Sequence, residues 1–463
     1  MSEQETRLDE FVDEEIRLLS DEPEGVRLTI DEMYPQGWKY AELSDICELN
    51  SGFSWNKEQE TDSPEGGAIP VIKIGNVRDG YLDLSDILYL TGVSDEDLQE
   101  NKARKDWLLM IGSNGSGERV GHCGLIEDDM EFVYASFLYG LHPDSDYLLP
   151  RCLFYFLNQP KVQRRLTSFT AGSTSLKNLN KSVVSNLSVP IPPLEEQRKI
   201  ASVLYNVDQA IQKTEEIIEQ THHVKSGLMQ DVFHGKHGSY DGYSSTPVGE
   251  IPDHWDVVSI GDIVDTAQYG ISESLSEEGQ YPVFRMNNIE NGYMVEEPMK
   301  YIDLDDEEFA KYRVEDGDIL FNRTNSLELV GKTGIYEMEG DHVFASYLVR
   351  LQTNEKADSY YLNYYMNSAE GQNRMMDFAT KGVSQANINA NSIQQVKLPL
   401  PPLDEQKQIT ERIKTIDEQI DTNNQYKSQL QRFKQGLMQD LLSGEVRTND
   451  AEIEVLPEVA QHG

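Results

Sequence analysis

Residues 190–197 read Pro190-Ile-Pro-Pro-Leu-Glu-Glu-Gln197 and residues 399–406 read Pro399-Leu-Pro-Pro-Leu-Asp-Glu-Gln406, an offset of 399 − 190 = 209. Gly227-Leu-Met-Gln-Asp231 returns as Gly436-Leu-Met-Gln-Asp440, and 436 − 227 is again 209. The segment between the two motifs thus has the same length in both copies. A loop tolerates insertions, whereas one residue added to a helix rotates every later side chain by about 100°. The chain is therefore expected to carry two copies of one module, each ending in a long helix of fixed register. A Pro at or near the first helical position, followed by Glu195-Glu196 or Asp404-Glu405, marks both helix starts.

Steps of three and four residues connect Ile200, Leu204, Val207, Ile211, Thr214, Ile217, Thr221, Val224, Leu228 and Val232 in the first helix. In the second they connect Ile409, Ile413, Ile416, Ile420, Asn423, Tyr426, Leu430, Phe433, Leu437 and Leu441. A stripe sustained over about five heptads reads as a coiled-coil seam. Each helix would be roughly 60 Å long. Neither stripe is covered within its own helix, so the two are expected to pack on each other. An approximate twofold relation between the modules makes them antiparallel.

The rest of the chain is arranged around these rods. Residues 1–34 form an acidic N-terminal arm, 35–190 a first globular module and 191–234 the first helix. Residues 235–250 are rich in Gly and Ser and read as a linker. Residues 251–399 form the second module, 400–444 the second helix and 445–463 an acidic tail. Short apolar runs closed by turn residues, such as Ala68–Ile74, Tyr281–Met286, Asp318–Phe321 and Gly334–Tyr336, read as strands. Helical patches follow around Pro150–Leu166 and Ser359–Asp377. The expected fold class is mixed α/β: two pseudo-repeated globular domains joined by two long, antiparallel coiled-coil helices.

The formal net charge is −41, from 81 acidic and 40 basic residues. Taken as a total, this repels a polyanion. It also fits a solvated coat on a protein working in concentrated salt, where the Debye length shrinks to about 3 Å at 1 M. The distribution of charge has to decide. Cys47, Cys123 and Cys152 are an odd count without close spacing, which reads as buried free thiols and not as a disulfide framework or zinc site. The N-terminal residues lack a signal-peptide pattern and no apolar run reaches the roughly 18 residues that cross a bilayer, so a cytoplasmic protein is expected.

Catalytic motifs fail on inspection. Gly331-Lys332-Thr333 resembles the end of a phosphate loop, but position 326 is Ser where Gly is needed, and a strand pattern follows. Glu405-Gln-Lys407 and Glu196-Gln-Arg198 sit at helix starts, where acids cap the dipole. His222 and His223 are adjacent on a helix and diverge by about 100°. The chain reads as a recognition protein without a catalytic centre or metal site.

From Tyr147 to Leu194 there is no Asp or Glu, while Arg151, Lys161, Arg164, Arg165, Lys177 and Lys181 lie inside. The matching stretch Gly371–Leu403 holds Arg374, Lys381 and Lys397 against Asp377, with the amides Gln385, Asn387, Asn389, Asn391, Gln394 and Gln395. Lys102-Ala-Arg104-Lys105 and Asn322-Arg323-Thr-Asn325 add smaller polar clusters. Basic residues anchor phosphates, and amides pair with base edges. The same surface would dock an acidic protein, so a coiled-coil interaction scaffold with two similar heads is the competing reading. The loops Thr170–Leu176 and Ala379–Gln385 differ in sequence, as two different half-targets require.

The duplicated Pro-Pro-Leu-(Glu/Asp)-Glu-Gln helix start and Gly-Leu-Met-Gln-Asp-(Val/Leu)-(Phe/Leu)-x-Gly helix end, each behind an α/β module, resemble the specificity (S) subunit of type I restriction–modification enzymes. The resemblance spans about Pro35 to Gly444. It implies two target-recognition domains, each reading half of a bipartite, asymmetric site in double-stranded DNA. It implies methylation subunits, two in number, that bind S-adenosylmethionine and methylate adenine N6, and restriction subunits that use ATP and Mg²⁺. No cofactor is expected in this chain. The helices would set the spacing between half-sites and dock the methylation subunits, with Ile200, Leu204, Val207, Ile211, Leu228, Ile409, Ile413, Ile416, Ile420 and Leu437 as the coiled-coil and partner-docking positions. Carried over by position, DNA contacts fall on Lys102, Arg104, Lys105, Lys161, Arg164, Arg165, Lys177, Asn178, Asn180 and Lys181 in the first module. In the second they fall on Arg323, Lys332, Arg374, Lys381, Gln385, Asn387 and Asn389. The acidity departs from what the family requires; it is similar to that of halophile proteins and implies binding that persists in molar KCl.

Overall fold

The computed structural model describes residues 35–460 apart from 79, 116, 174–175, 237, 327–328, 382–384 and 450. The acidic arm expected at 1–34 lies outside the described residues. The chain divides into two compact units, residues 1–214 with 426–463 and residues 215–425. The division falls inside both long helices, so each unit owns a piece of each.

In the first unit an antiparallel sheet runs in the order Cys47–Ser51, Leu138–Pro143, Leu108–Ile111, Cys123–Leu125. The second unit repeats it as Val264–Tyr269, Leu348–Thr353, Ile319–Asn322, Thr333–Ile335, extended by Tyr293–Met294 and Ile289–Glu290. The strands Leu108–Ile111 and Ile319–Asn322 are buried at every position, because both faces of the sheet are covered. A second sheet in each unit contains Ile69–Ile72 or Tyr281–Phe284. The two helical patches are each a broken pair, Pro150–Leu157 with Pro160–Ser168 and Ser359–Asn367 with Ala369–Met376. Gln159 precedes Pro160 and is extended, which stops the first helix; Ser368 is extended and caps the next one through Gly371 N.

The repeated Glu-Gln of the helix start is a clamp in both units. Glu196 accepts the indole N–H of Trp38 at 2.9 Å, and Glu405 that of Trp255 at 3.2 Å. Gln197 accepts from Leu149 N at 2.8 Å and donates to the Tyr147 and Pro192 carbonyls. Gln406 repeats this with Asp358 N at 2.8 Å and the Lys356 and Pro401 carbonyls. Strand Lys39–Glu42 pairs with Ser188–Ile191, and Asp256–Ser259 with Lys397–Leu400, so the opening of each module lies beside its exit into a helix.

The motif's terminal glycines, Gly235 and Gly444, sit at φ 68° and 74°. A Cβ on either would overlap a proline ring at a module opening, Pro252 for Gly235 and Pro35 for Gly444. The segment read as a linker is structured: Tyr243–Thr246 and Gly249–Pro252 form a hairpin, and the Tyr240 hydroxyl donates to Glu405. In the first unit the C-terminal tail has that role. Arg447 donates to both oxygens of Glu196 at 2.8 and 2.9 Å, and Lys199 Nζ donates to the Thr448 and Ala451 carbonyls at 3.3 Å.

The long helices span Leu194–Val232 and Leu403–Ser443. Within each unit their pieces run antiparallel. In the first, Ile200 and Leu204 share a core with Met438, Leu441 and Leu442. In the second, Met229 and Val232 share a core with Ile409 and Ile413. Asp208 pairs with Lys434 at 2.5 Å and Asp417 with Lys225 at 2.5 Å, one bridge per unit, related by the offset of 209. The heptad reading needs correction in the middle of the rods. Ile217, Val224, Tyr426 and Phe433 are 41, 61, 50 and 58 % exposed. Steps of four and three carried on from Thr214 lead to 218, 221, 225, 228 and 232, so the buried face passes through Lys225 and its ion pair, not through Val224. The sequence stripe is one residue off this face at Ile217, where Ile218 holds it, and at Val224, where Lys225 does, and it coincides with it at Thr221, Leu228 and Val232.

Cys47, Cys123 and Cys152 are free thiols, and burial pushes Cys152 up to about 12. Among the described residues no group of three His, Cys, Asp or Glu side chains is placed to hold a metal, and no helix is long and apolar enough to cross a membrane.

Candidate nucleic-acid interface

At the end of the central strand Leu108–Ile111 the chain passes through Gly112 into a two-residue strand, Ser113–Asn114. This pairs with Leu176–Asn178, which pairs in turn with Ala171–Ser173. The second unit builds the same small sheet from Thr324–Asn325, Ala386–Asn387 and Thr380–Lys381. Its root is fixed by Leu179 N to the Gly112 carbonyl and by Ile388 N to the Arg323 carbonyl, both at 2.8 Å.

Three separate acid-free segments meet here in each unit. In the first they are 107–117, 132–143 and 147–194; in the second, 319–327, 342–354 and 378–403. About one residue in six of the whole chain is Asp or Glu, so the segments that build the small sheet are locally poor in negative charge, with Glu118 in the turn beside Lys177 as the nearby acid of the first unit. The total charge concealed this, because the relevant quantity is local.

On this face Lys177 and Asn178 lie on a strand of the small sheet, with Asn178 bonded to the Ser113 hydroxyl. Lys181 Nζ lies 5.8 Å from the Tyr139 ring, whose hydroxyl donates to the Leu179 carbonyl at 2.7 Å. Asn180 is exposed at the start of the helix Lys181–Ser185. In the second unit the Arg323 guanidinium stacks 4.9 Å over Tyr269, and Arg323 Nε is buried without a hydrogen-bond partner among the described residues. Lys381 and Asn387 lie on the small sheet, Gln385 is exposed beside it, and Asn389 caps the next short helix through Asn391 N and Ser392 N. Lys332 is exposed on the turn after Gly331, which has φ 94° and leads into a strand.

Other sequence candidates are placed elsewhere or already engaged. Lys161, Arg164 and Arg165 are exposed on the helix Pro160–Ser168 that leads into the small sheet. Arg374, on the equivalent helix, donates to Glu370 at 2.7 Å and to the Pro247 carbonyl at 3.1 Å, so it ties the hairpin to the module. Lys102 pairs with Glu131 at 2.6 Å, Arg104 donates to the Gln99 carbonyl, and Lys105 follows it in the same connection away from the small sheet. Sequence reasoning missed Tyr139, Tyr269, Phe137 and Tyr347. For Phe137 and Tyr347 the signal was the repeat Val133-Tyr-Ala-Ser-Phe-Leu138 against Val343-Phe-Ala-Ser-Tyr-Leu348, at an offset of 210; Tyr139 and Tyr269 lie outside it.

The helix residues read as coiled-coil and partner-docking positions fall mostly on the side where the two helices pack on each other and on their modules. Ile200, Leu204, Ile409 and Ile413 are fully buried in the cores of their own units, with Val207 and Ile420 nearly so. Ile211, Leu228, Ile416 and Leu437 are half-buried. The surface left open is Ile217 and Val224 on one helix and Tyr426 and Phe433 on the other, again separated by 209.

The family model for the type I restriction modification DNA specificity domain matches residues 35–221 and 252–432. The chain is 26 % identical over 420 residues to a putative type I restriction enzyme MjaX specificity subunit of Methanocaldococcus jannaschii, covering 89 % of this chain and 94 % of that one. It is 23 % identical over 402 residues to the type I restriction enzyme EcoKI specificity subunit of Escherichia coli, covering 84 % of each. The crystal structure of a type I restriction–modification S subunit from M. genitalium superposes with a TM-score of 0.53 at 14 % identity, over 89 % of this chain and 97 % of that one.

Proposed function

The chain belongs to the type I restriction–modification DNA specificity family, and from that premise we propose that each module reads one half of a bipartite, asymmetric DNA site. The observation that carries this reading is the acid-poor surface around the small sheet, built twice with different side chains. Lys177, Lys181 and Arg323 supply phosphate or guanine contacts, and Asn178, Gln385 and Asn387 supply amides for base edges. Specificity in such a protein comes from the differences between the two faces, and equal spacing from what the modules share.

The chain works in the cytoplasm as the non-catalytic subunit of a larger enzyme. Methylation subunits carry S-adenosylmethionine, and restriction subunits carry ATP and Mg²⁺. Two methylation subunits dock on the rods, one at Ile217 and Val224, the other at Tyr426 and Phe433. The exposed apolar pairs support this, as do Gly227 and Gly436, where a Cβ would meet nothing within 4 Å. A glycine inside a helix costs about 1 kcal/mol and is otherwise unrewarded; it leaves room for a partner's backbone.

The test is co-expression with the methylation subunit and genome-wide mapping of methylated adenine. A bipartite motif that vanishes on deletion of this chain is expected. Unchanged methylation would overturn the reading in favour of a protein-binding scaffold.

A further inference from the structure

Phe137 and Tyr347 are large aromatics that are 52 and 50 % exposed, yet both are held by a rigid frame. Their neighbours Ala135 and Leu138, and Ala345 and Leu348, are buried. In each unit a tight turn closes from Leu138 N to the Ala135 carbonyl at 2.8 Å, or from Leu348 N to the Ala345 carbonyl at 2.9 Å. The preceding serine N–H is also used: Ser136 donates to Phe53 O at 2.8 Å and Ser346 to Ile271 O at 2.7 Å. Gly52 and Gly270 let a second strand approach the turn so closely that a Cβ would overlap its backbone. The aromatic residue's own carbonyl accepts from the root of the small sheet, Gly112 N at 2.9 Å or Arg323 N at 3.1 Å. The ring thus stands beside the candidate DNA face, on backbone bonded from both sides.

A single exposed aromatic is ordinary. Two at matching positions of two diverged modules, each braced by the same four contacts and each beside a polar, acid-poor face, have a common use. Resting on the DNA-reading function above, we propose that Phe137 and Tyr347 are specificity-determining residues, each ring contacting a base edge in the major groove of its own half-site. Phe137 offers no hydrogen bond, so its partner is an apolar edge, the C5-methyl of thymine. Tyr347 offers the same ring and adds a hydroxyl that can pair with a base-edge acceptor or donor. The Phe-to-Tyr difference is then one of the differences that make the site asymmetric.

The test uses the assembled complex with its methylation subunits and duplexes carrying the methylated motif found by mapping. Phe137→Ala, Tyr347→Ala and Tyr347→Phe are compared with the parent, after thermal melting shows each to be folded. Each thymine in the site is replaced in turn by uracil, which lacks the methyl group. The parent complex loses affinity on the order of tenfold at one thymine of one half-site. Phe137→Ala loses that discrimination and keeps it elsewhere. Tyr347→Ala relaxes the opposite half-site only, and Tyr347→Phe, which keeps the ring, retains more of that half-site's discrimination than Tyr347→Ala. If the parent binds its site without losing affinity at any thymine, or if both alanine variants retain its full profile, this assignment fails while the DNA-reading function stands. If the parent binds no bipartite site, the function itself fails.

Discussion

Glu405 sits in the first turn of the second long helix and accepts from Trp255 Nε1, His254 Nε2 and the Tyr240 hydroxyl. Burial opposes its ionisation, but the hydrogen bonds from Tyr240, His254 and Trp255 outweigh it and hold the carboxyl below its ordinary 4.5. A carboxyl lowered in the folded state contributes stability above its unfolded pKa, and that contribution is lost as pH falls through the lower folded value. Glu405→Gln keeps an acceptor oxygen and removes the titration. Its melting temperature should lie below the parent's at neutral pH and converge on it as pH drops from about 5 to about 3; parallel curves would refute the linkage. The glycines of the helix-end motif make a second residue-level case. Gly444 is left-handed and lies against Pro35, so Gly444→Ala should destabilise by roughly 1–3 kcal/mol. Gly436, helical with open space around it, should behave oppositely: Gly436→Ala stabilises the isolated chain by roughly 0.5–1 kcal/mol while weakening capture of the methylation subunit. Melting curves and a pull-down of the methylation subunit separate the two effects.

At the level of elements, each unit ties its two helix pieces together through one polar node. Tyr155, Asp208 and Lys434 form it in the first unit, Tyr364, Asp417 and Lys225 in the second. Asp417 also accepts from Tyr293, and its side chain is only 10 % exposed. Burial first, then the neighbouring Tyr293 and Asp417, pushes the Tyr364 hydroxyl far up, so it remains a donor throughout the working range. Lys225→Met would strand a buried carboxylate, a loss on the order of 3–5 kcal/mol, while Lys225→Met with Asp417→Leu should recover most of it. A double-mutant cycle by denaturant titration measures the difference, and additive losses would show that the ion pair does not couple the helices. These nodes explain what the sequence could and could not disclose. The rods, their starts and their ends were legible because proline, acidic pairs and glycine mark helix boundaries physically. The buried face in mid-rod was not, because a pattern built on hydrophobicity skips Lys225 and accepts Val224, although only Lys225 finds a partner. The small recognition sheets were illegible for another reason. Strands of two or three residues have too little periodicity to read, and the strand that roots each small sheet finds its partner some 60 residues away along the chain. The acid-free stretches that line them were readable, yet only one of the three per unit was long enough to attract notice.

For the whole molecule, the charge of −41 must coexist with a polyanionic target. If Lys177 and Lys181 in one unit and Arg323 and Lys381 in the other carry the phosphate contacts, counterion release should be modest and the plot of log K against log[salt] shallow, with binding retained in molar KCl. A steep loss of affinity would identify the acidity as a hindrance to binding instead of a coat for concentrated salt. The rods lead to the last expectation. If their length sets the gap between half-sites, it should be adjustable, provided that the helix register survives. Inserting residues in one helix alone slides Lys225 past Asp417 or Asp208 past Lys434 and breaks a node. Matched insertions after Thr214 and Asn423, which are equivalent positions since 423 − 214 = 209, leave both nodes paired. Seven residues are the suitable step, because 700° falls only about 20° short of two full turns and keeps each buried stripe facing inward. They add about 10 Å of rise, equal to roughly three base pairs of DNA. The doubly extended protein, co-expressed with its methylation subunit, should methylate the same two half-sites separated by a spacer longer by two to four base pairs. The single insertions should lose stability and methylation together. An active, doubly extended protein that still recognises the original spacer would show that the gap is set by something other than the helices.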